Sequence, residues 1–151
     1  MFQRQFKISI KAVLAGILVE LVLDFLIILT ILFIGYYISN IFDLNVLIEG
    51  FEEMSPAELD EAIEAIIYNN LFVMMGSLMV EGGTTFVGCF TAASIASNYK
   101  IAHSAVVGVI SIILGILFLH FMNLSVPAWY VFTGWIITIL VVLLGGYAAK
   151  G

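Results

Sequence analysis

Four long apolar segments dominate the chain, separated by short polar stretches and one long polar loop. The segments run over residues 12–38, 71–96, 101–121 and 129–146. Each segment is long enough to cross the roughly 30 Å hydrocarbon core of a bilayer as a helix. The pattern therefore predicts an all-α membrane protein with four transmembrane helices, and residues 1–151 are expected to form a single integral membrane domain.

The long polar loop, residues 39–70, contains the pattern of an amphipathic surface helix. Ser55-Pro56-Ala57-Glu58 matches a capping box with proline at the first helical position. Apolar residues then recur every three or four positions, which places them on one face of a helix. Two interpretations stay open. The helix packs as a lid on the outer end of the bundle, or its acidic face is a docking or cation-gathering surface.

The composition excludes a soluble domain and a nucleic-acid-binding protein. Hydrophobic residues make up 63% and charged residues 11% of the 151 positions, and the mean hydropathy is +1.18. A domain of this size cannot bury so much apolar surface in water. The formal net charge is −6 and only five residues are basic, so nucleic acid has no electrostatic basis for binding.

The basic residues predict the orientation in the membrane. With four spans, all five of them fall on one side: Arg4, Lys7, Lys11, Lys100 and Lys150. Positive residues favour the cytoplasmic side. We therefore expect both termini in the cytoplasm and the loop of residues 39–70 outside.

Small residues recur at helical spacing and predict close helix contacts. Residues of this kind let two backbones approach within a membrane, as in small-xxx-small motifs. The predicted packing positions are Gly16 in the first span, Gly88, Ala92 and Ala96 in the second, and Ser104, Gly108, Ser111 and Gly115 in the third.

Three acids inside the apolar segments are the candidate functional groups. Glu20 and Asp24 are four residues apart and share a helix face, and Glu81 lies near the middle of the second span. Carboxylates inside a membrane are costly and mark functional candidates. Such acids are either protonated and hydrogen-bonded across a helix interface, or they form a proton or cation site. The candidate polar partners are Ser77, Thr84 and Thr85.

The two halves of the chain resemble each other. Residues 88–93 resemble residues 145–149, and residues 12–18 resemble residues 104–110. Each half would be a hairpin that crosses the membrane out and back, so the two hairpins are expected to be parallel repeats. The acids at positions 20 and 24 have isoleucine at the matching positions 112 and 116 of the second half.

Several of these segments also resemble a known type of protein. Residues 11–19, the small-residue end of the second span, residues 103–108, residues 127–129 and the closing residues 144–149 are similar to small four-span bacterial inner-membrane proteins of unknown function. The resemblance implies the same four-helix fold and a prokaryotic cytoplasmic (inner) membrane. It implies no activity.

The sequence favours two functions and disfavours catalysis. We find no nucleophile–base spacing, no phosphate-binding loop and no metal-ligand motif, since His103 and His120 lie at opposite ends of one span. We therefore expect no enzyme, cofactor or metal. One hypothesis is a helix-packing module, in the lipid bilayer as a homo-oligomer or with a membrane-protein partner. The other is a small proton- or cation-coupled transporter, the size of the small multidrug-resistance exporters.

Labelling tests the predicted topology. A cysteine at Ala57, in a chain carrying Cys89→Ala, is expected to react with an impermeant thiol reagent added to intact cells. The matched control is a cysteine at Asn98, in the turn on the basic side, which should react only after permeabilisation. The opposite pattern would reverse the orientation.

Overall fold

The computed structural model describes residues 7–41, 54–55, 58, 61, 70–121 and 126–150. Over these residues it contains four long helices and no strand. The helices are α1 (Ile10–Ile41), α2 (Leu71–Ile95), α3 (Lys100–Phe121) and α4 (Ala128–Ala148). All four are long and apolar enough to cross a membrane. The prediction of an all-α chain with four such helices is confirmed.

Helix α2 begins where the polar loop ends because Asn70 caps it. The Asn70 side-chain oxygen accepts hydrogen bonds from the backbone N–H groups of Phe72, at 3.1 Å, and Val73, at 3.2 Å. These N–H groups belong to the first turn and have no partner within the helix. The cap therefore sets the start of α2 at Leu71.

Tyr99 closes the turn between α2 and α3 in an unusual backbone conformation. Its φ is 54°, in the left-handed region that non-glycine residues seldom occupy. This conformation directs the Tyr99 carbonyl at α3, where it accepts from the N–H of Ala102 at 2.9 Å and of His103 at 3.2 Å. The turn is thus tied to the first turn of α3.

The bundle consists of two parts that differ in packing. The packed half comprises residues 10–20 of α1, 84–95 of α2, 100–111 of α3 and 138–148 of α4, and the open half comprises the remaining helical residues. Helix α2 contacts each of the other three helices. In the packed half Val13, Cys89, Ala92 and Val107 form a small apolar core, against which Val142 of α4 packs.

In the open half α2 and α4 stay in contact, whereas most side chains of α1 and α3 are exposed there. Leu78 of α2 is only 1% exposed, and a Cβ built on Gly82 would lie 2.6 Å from Ile137 of α4. On α3, nothing lies within 4 Å of a Cβ built on Gly115. We call residues 21–34 the outer segment of α1. Its exposed large apolar side chains are Leu21, Val22, Phe25, Leu26, Ile28, Leu29, Ile31, Leu32, Phe33 and Ile34.

Glycine allows α1 and α2 to come very close in the packed half. A Cβ on Gly16 would lie 2.6 Å from the Gly88 carbonyl oxygen, and a Cβ on Gly88 would lie 2.9 Å from the Gly16 carbonyl oxygen. Distances below 3 Å to a backbone atom leave no room for a methyl group. The two glycines therefore fix the separation and the register of the two helices.

The predicted capping box is present in the described part of the polar loop. The Ser55 hydroxyl and backbone N–H both donate to Glu58 Oε2, at 2.7 and 2.8 Å, and the Glu58 N–H donates to Ser55 Oγ at 3.4 Å. The Ser55 hydroxyl, and then its N–H, hold the pKa of Glu58 below its usual range. Glu58 and Glu61 are helical. The rest of the predicted surface helix lies outside the described residues, so that helix stays a prediction.

Alanine substitution tests the glycine contact. We expect Gly16→Ala to lower the free energy of unfolding by about 1–3 kcal/mol, because the methyl group overpacks the α1–α2 interface. The matched control is Gly115→Ala, where the site is open and the loss of a helical glycine makes the change neutral or stabilising. The measurement is unfolding in detergent, and equal loss in both variants would contradict this packing.

Acid titration tests the capping box. Because the pKa of Glu58 is lowered in the folded loop, the box contributes its full stability above the usual carboxyl range and loses it as the pH falls through the lowered pKa. The protection factors of the Glu58 and Glu61 amides, which correct the observed exchange rate for its intrinsic pH dependence, should therefore fall below about pH 4. Ser55→Ala should raise the Glu58 pKa toward its usual value, and Glu58→Gln should make the protection factors independent of pH. Protection factors independent of pH in the unaltered chain would rule out the ionised box.

Candidate functional site

Glu20 is the candidate acid that the fold encloses. It lies at the end of the packed half and is 7% exposed. Its Oε1 accepts from the Thr85 hydroxyl of α2 at 2.7 Å, and its Oε2 lies 2.8 Å from the Ser111 hydroxyl of α3, within hydrogen-bond distance. A Cβ on Gly88 would lie 2.9 Å from the Glu20 Cβ, so this glycine makes the space that the glutamate fills. One carboxyl group therefore joins three helices.

The two contacts of the Ser111 hydroxyl indicate which protonation state of Glu20 fits the site. Ser111 Oγ lies within bonding distance of both Glu20 Oε2 and the Val107 carbonyl oxygen, the latter at 3.0 Å. A hydroxyl carries one hydrogen, so an ionised Glu20 competes with Val107 for it. A protonated Glu20 donates to Ser111, and Ser111 donates to Val107. Only the neutral carboxyl satisfies both contacts at once.

Asp24 and Glu81 lie one turn further on, at the opening of the bundle. They are equally far from the ends of α1 and α2 that meet in the packed half. Asp24 interacts electrostatically with both glutamates, and the two glutamates interact with each other. Asp24 is half-buried and Glu81 is exposed. Among the described residues neither side chain has a hydrogen-bonded or ion-paired partner.

The other predicted polar partners do not reach the acids. The Thr84 hydroxyl donates to the backbone carbonyl of Glu81 at 3.0 Å, within its own helix. Ser77 bonds to the Met74 carbonyl at 2.8 Å and to the Tyr130 hydroxyl of α4 at 3.0 Å. Of the three predicted partners, only Thr85 bonds to a candidate carboxyl group.

Most of the predicted packing residues lie at helix contacts. A Cβ on Gly16 would meet Ala92 at 2.8 Å, and a Cβ on Gly108 would meet Val142 at 2.2 Å. Ala96 is 2% exposed and Ser104 is fully buried, with the Ser104 hydroxyl donating to the Val142 carbonyl at 2.6 Å. The remaining members are Gly88 and Ser111, described above, and Gly115, which faces open space.

His103 has a structural role at the basic end of the bundle. It is 2% exposed, its Nε2 accepts from the Ser9 backbone N–H at 2.8 Å, and its Nδ1 lies 3.0 Å from the Tyr99 carbonyl oxygen. The first contact requires an acceptor and the second a donor, which fixes the neutral Nδ1–H tautomer. The imidazole thus ties the start of α1 to α3. No three potential metal ligands converge among the described residues.

Ser111 is the partner of Glu20 that the sequence did not reveal. Its small side chain and helical spacing placed it among the predicted packing positions. Its hydroxyl was therefore not considered as a hydrogen-bond partner of the acids. The available signal was depth. Ser111 lies about as far from the start of α3 as Glu20 does from the start of α1.

Comparison with protein-family models, with curated proteins and with solved structures finds no match to this chain. The four-span membrane architecture rests on the helices themselves. The family resemblance and the bacterial origin remain predictions.

Substitution of Glu20 tests the neutral carboxyl. Glu20→Gln should keep the free energy of unfolding within about 0.5 kcal/mol, because the amide accepts from Thr85 and donates to Ser111. Glu20→Met fills a similar volume without these bonds and should cost about 0.6–2 kcal/mol. The matched control is Asp24→Asn, which removes no hydrogen bond and should have little effect. A Gln variant as unstable as the Met variant would show that Glu20 is ionised.

Proposed function

We propose that this protein is a non-enzymatic assembly subunit of a membrane complex. The contacts of its packed half stabilise the fold, and its open half binds a transmembrane segment of another protein. The observation that carries this proposal is the outer segment of α1. Ten large apolar side chains there are exposed, next to two carboxyl groups without partners among the described residues.

The length of α1 supports an interaction beyond this bundle. Its 32 residues span about 48 Å, well over the roughly 30 Å of the hydrocarbon core. Helix α2, with 25 residues, is about 10 Å shorter. A long helix whose outer segment is mostly exposed among the described residues is suited to pairing with a segment from another chain.

Charge favours a partner that differs from this chain. The sequence has no lysine or arginine between Lys11 and Lys100 or between Lys100 and Lys150. A second copy therefore brings two more acids to the level of Asp24 and Glu81 and no cation. A partner helix with a lysine, an arginine or a hydrogen-bonding side chain at that level offsets the cost of these carboxyl groups.

The proposal includes the membrane and the topology expected from the sequence. We place the protein in a prokaryotic cytoplasmic membrane, on the basis of the small-residue motifs that resemble four-span inner-membrane proteins. Both termini are cytoplasmic and the acidic loop is outside, as the one-sided basic residues favour. The two hairpins, α1 with α2 and α3 with α4, are proposed to be parallel repeats of one ancestral hairpin.

Photo-crosslinking from inside the membrane tests the assembly role. A photoreactive residue at Leu26, on the outer segment of α1, is expected to crosslink to another polypeptide in the native membrane. The matched control is Phe132 on α4, which lies at the same depth and is also exposed, 59% against 51%. It should crosslink to lipid alone.

Two results decide this experiment. Glu81→Gln with Asp24→Asn should weaken the Leu26 crosslink, because the polar contact to the partner is reduced. Lipid crosslinks of equal yield at Leu26 and Phe132 would contradict an assembly role for the open half.

A transporter is the second candidate, favoured by the row of carboxyl groups. Glu20, Asp24 and Glu81 interact electrostatically and lead from the packed half to the opening. This function predicts proton or cation flux by the protein alone in liposomes, and loss of that flux in Glu20→Gln without unfolding. Absence of flux in a folded, reconstituted protein would leave only the assembly role.

A further inference from the structure

A cavity lies at the basic end of the bundle, away from the carboxyl groups. Its volume is about 560 Å³, and it is lined by residues 97–99 of the α2–α3 turn, by the first turns of α3 and by Lys150 after α4. All four helices begin or end at this end of the bundle. The cavity therefore lies where a bilayer has its headgroups.

Two lysines line this cavity, and contacts with the end of α4 hold both ammonium groups. Lys100 Nζ donates to the Ala149 carbonyl oxygen, and Lys150 Nζ lies 4.4 Å from the centroid of the Tyr147 ring. The first contact places a cation at the carboxyl end of a helix, where the helix dipole favours it. Each of the two ammonium groups is thus in contact with the end of α4 before any ligand binds.

The walls of the cavity are otherwise suited to an anion with an apolar attachment. None of the described residues that line it is an aspartate or glutamate, and Ser97 and Asn98 offer polar side chains. Ile101, Ala102 and Ala105 form an apolar wall that continues along α3 toward the membrane interior. Helices α3 and α4 are closely packed next to the cavity, because a Cβ on Gly146 would lie 2.9 Å from the Ile101 Cα.

The hydrogen-bonding capacity of the lysines is mostly unused. Each ammonium group has three N–H donors, and the contacts among the described residues use one on Lys100 and none on Lys150. Two like charges in one cavity repel each other, and a bound anion removes that repulsion. A phosphate group has enough acceptor oxygens to take the remaining donors of both residues.

We propose that this cavity binds a phosphate group between Lys100 and Lys150. The group comes either from the headgroup of an anionic phospholipid, whose acyl chains would follow the apolar wall, or from a soluble phosphate compound. Binding stabilises the junction of α3 and α4 at the basic end. This site is independent of the assembly role of the open half.

Lipid titration tests the site on the intact protein in discs of zwitterionic phospholipid. The probes are phosphatidylglycerol and, in a separate arm, inorganic phosphate, with native mass spectrometry and the thermal midpoint as readouts. We expect phosphatidylglycerol to bind and raise the midpoint. Lys150→Gln should weaken its binding about fivefold, the effect of one lysine at an anionic surface, and Lys150→Arg should retain it.

The matched control is Lys11→Gln, which removes an exposed lysine from the same end of the bundle but outside the cavity. Its affinity for phosphatidylglycerol should not change. An equal loss in Lys11→Gln and Lys150→Gln, or a midpoint that neither phosphatidylglycerol nor inorganic phosphate raises, would overturn the proposal. If inorganic phosphate raises the midpoint as much as the lipid does, the site takes a soluble phosphate compound. If only the lipid does so, it takes a headgroup. Because neither variant touches the open half, crosslinking at Leu26 stays unchanged whichever result is obtained.

Discussion

The close approach of α1 and α2 at Gly16 and Gly88 is the constraint on which the rest of the structure depends. A single methyl group at either position would meet the backbone of the facing helix at under 3 Å. This contact sets the register that brings Glu20 between the hydroxyls of Thr85 and Ser111. Without it, the Glu20 carboxyl would lose these two hydrogen bonds across the helix interface, each worth about 0.6–2 kcal/mol in a membrane.

The same constraint accounts for the contrast between the two halves. Small residues hold all four helices together as far as the level of Glu20, and beyond it the outer segment of α1 carries large side chains that are exposed. The packed half supplies the small apolar core of the bundle. The open half, with Asp24 and Glu81 at its entrance, is the part that we propose associates with a partner.

The sequence predicts the helices well and the site only in part. Each apolar run is long enough to define a helix locally, so four helices could be read from the pattern. Depth along a helix also follows from counting, which brings Asp24 and Glu81 to one level. How each helix is rotated toward its neighbours, and so which side chains meet across an interface, depends on tertiary packing. For that reason the sequence did not reveal the bond from Ser111 to Glu20, or the open space at Gly115.

Native mass spectrometry of the protein, extracted from its own membrane in polymer discs, tests the central claim most directly. We expect particles in which this 16.6 kDa chain is bound to a different membrane polypeptide in fixed proportion. We also expect Glu81→Gln with Asp24→Asn to lower the yield of that complex. Particles that contain this chain alone, or only multiples of its mass, would contradict the claim.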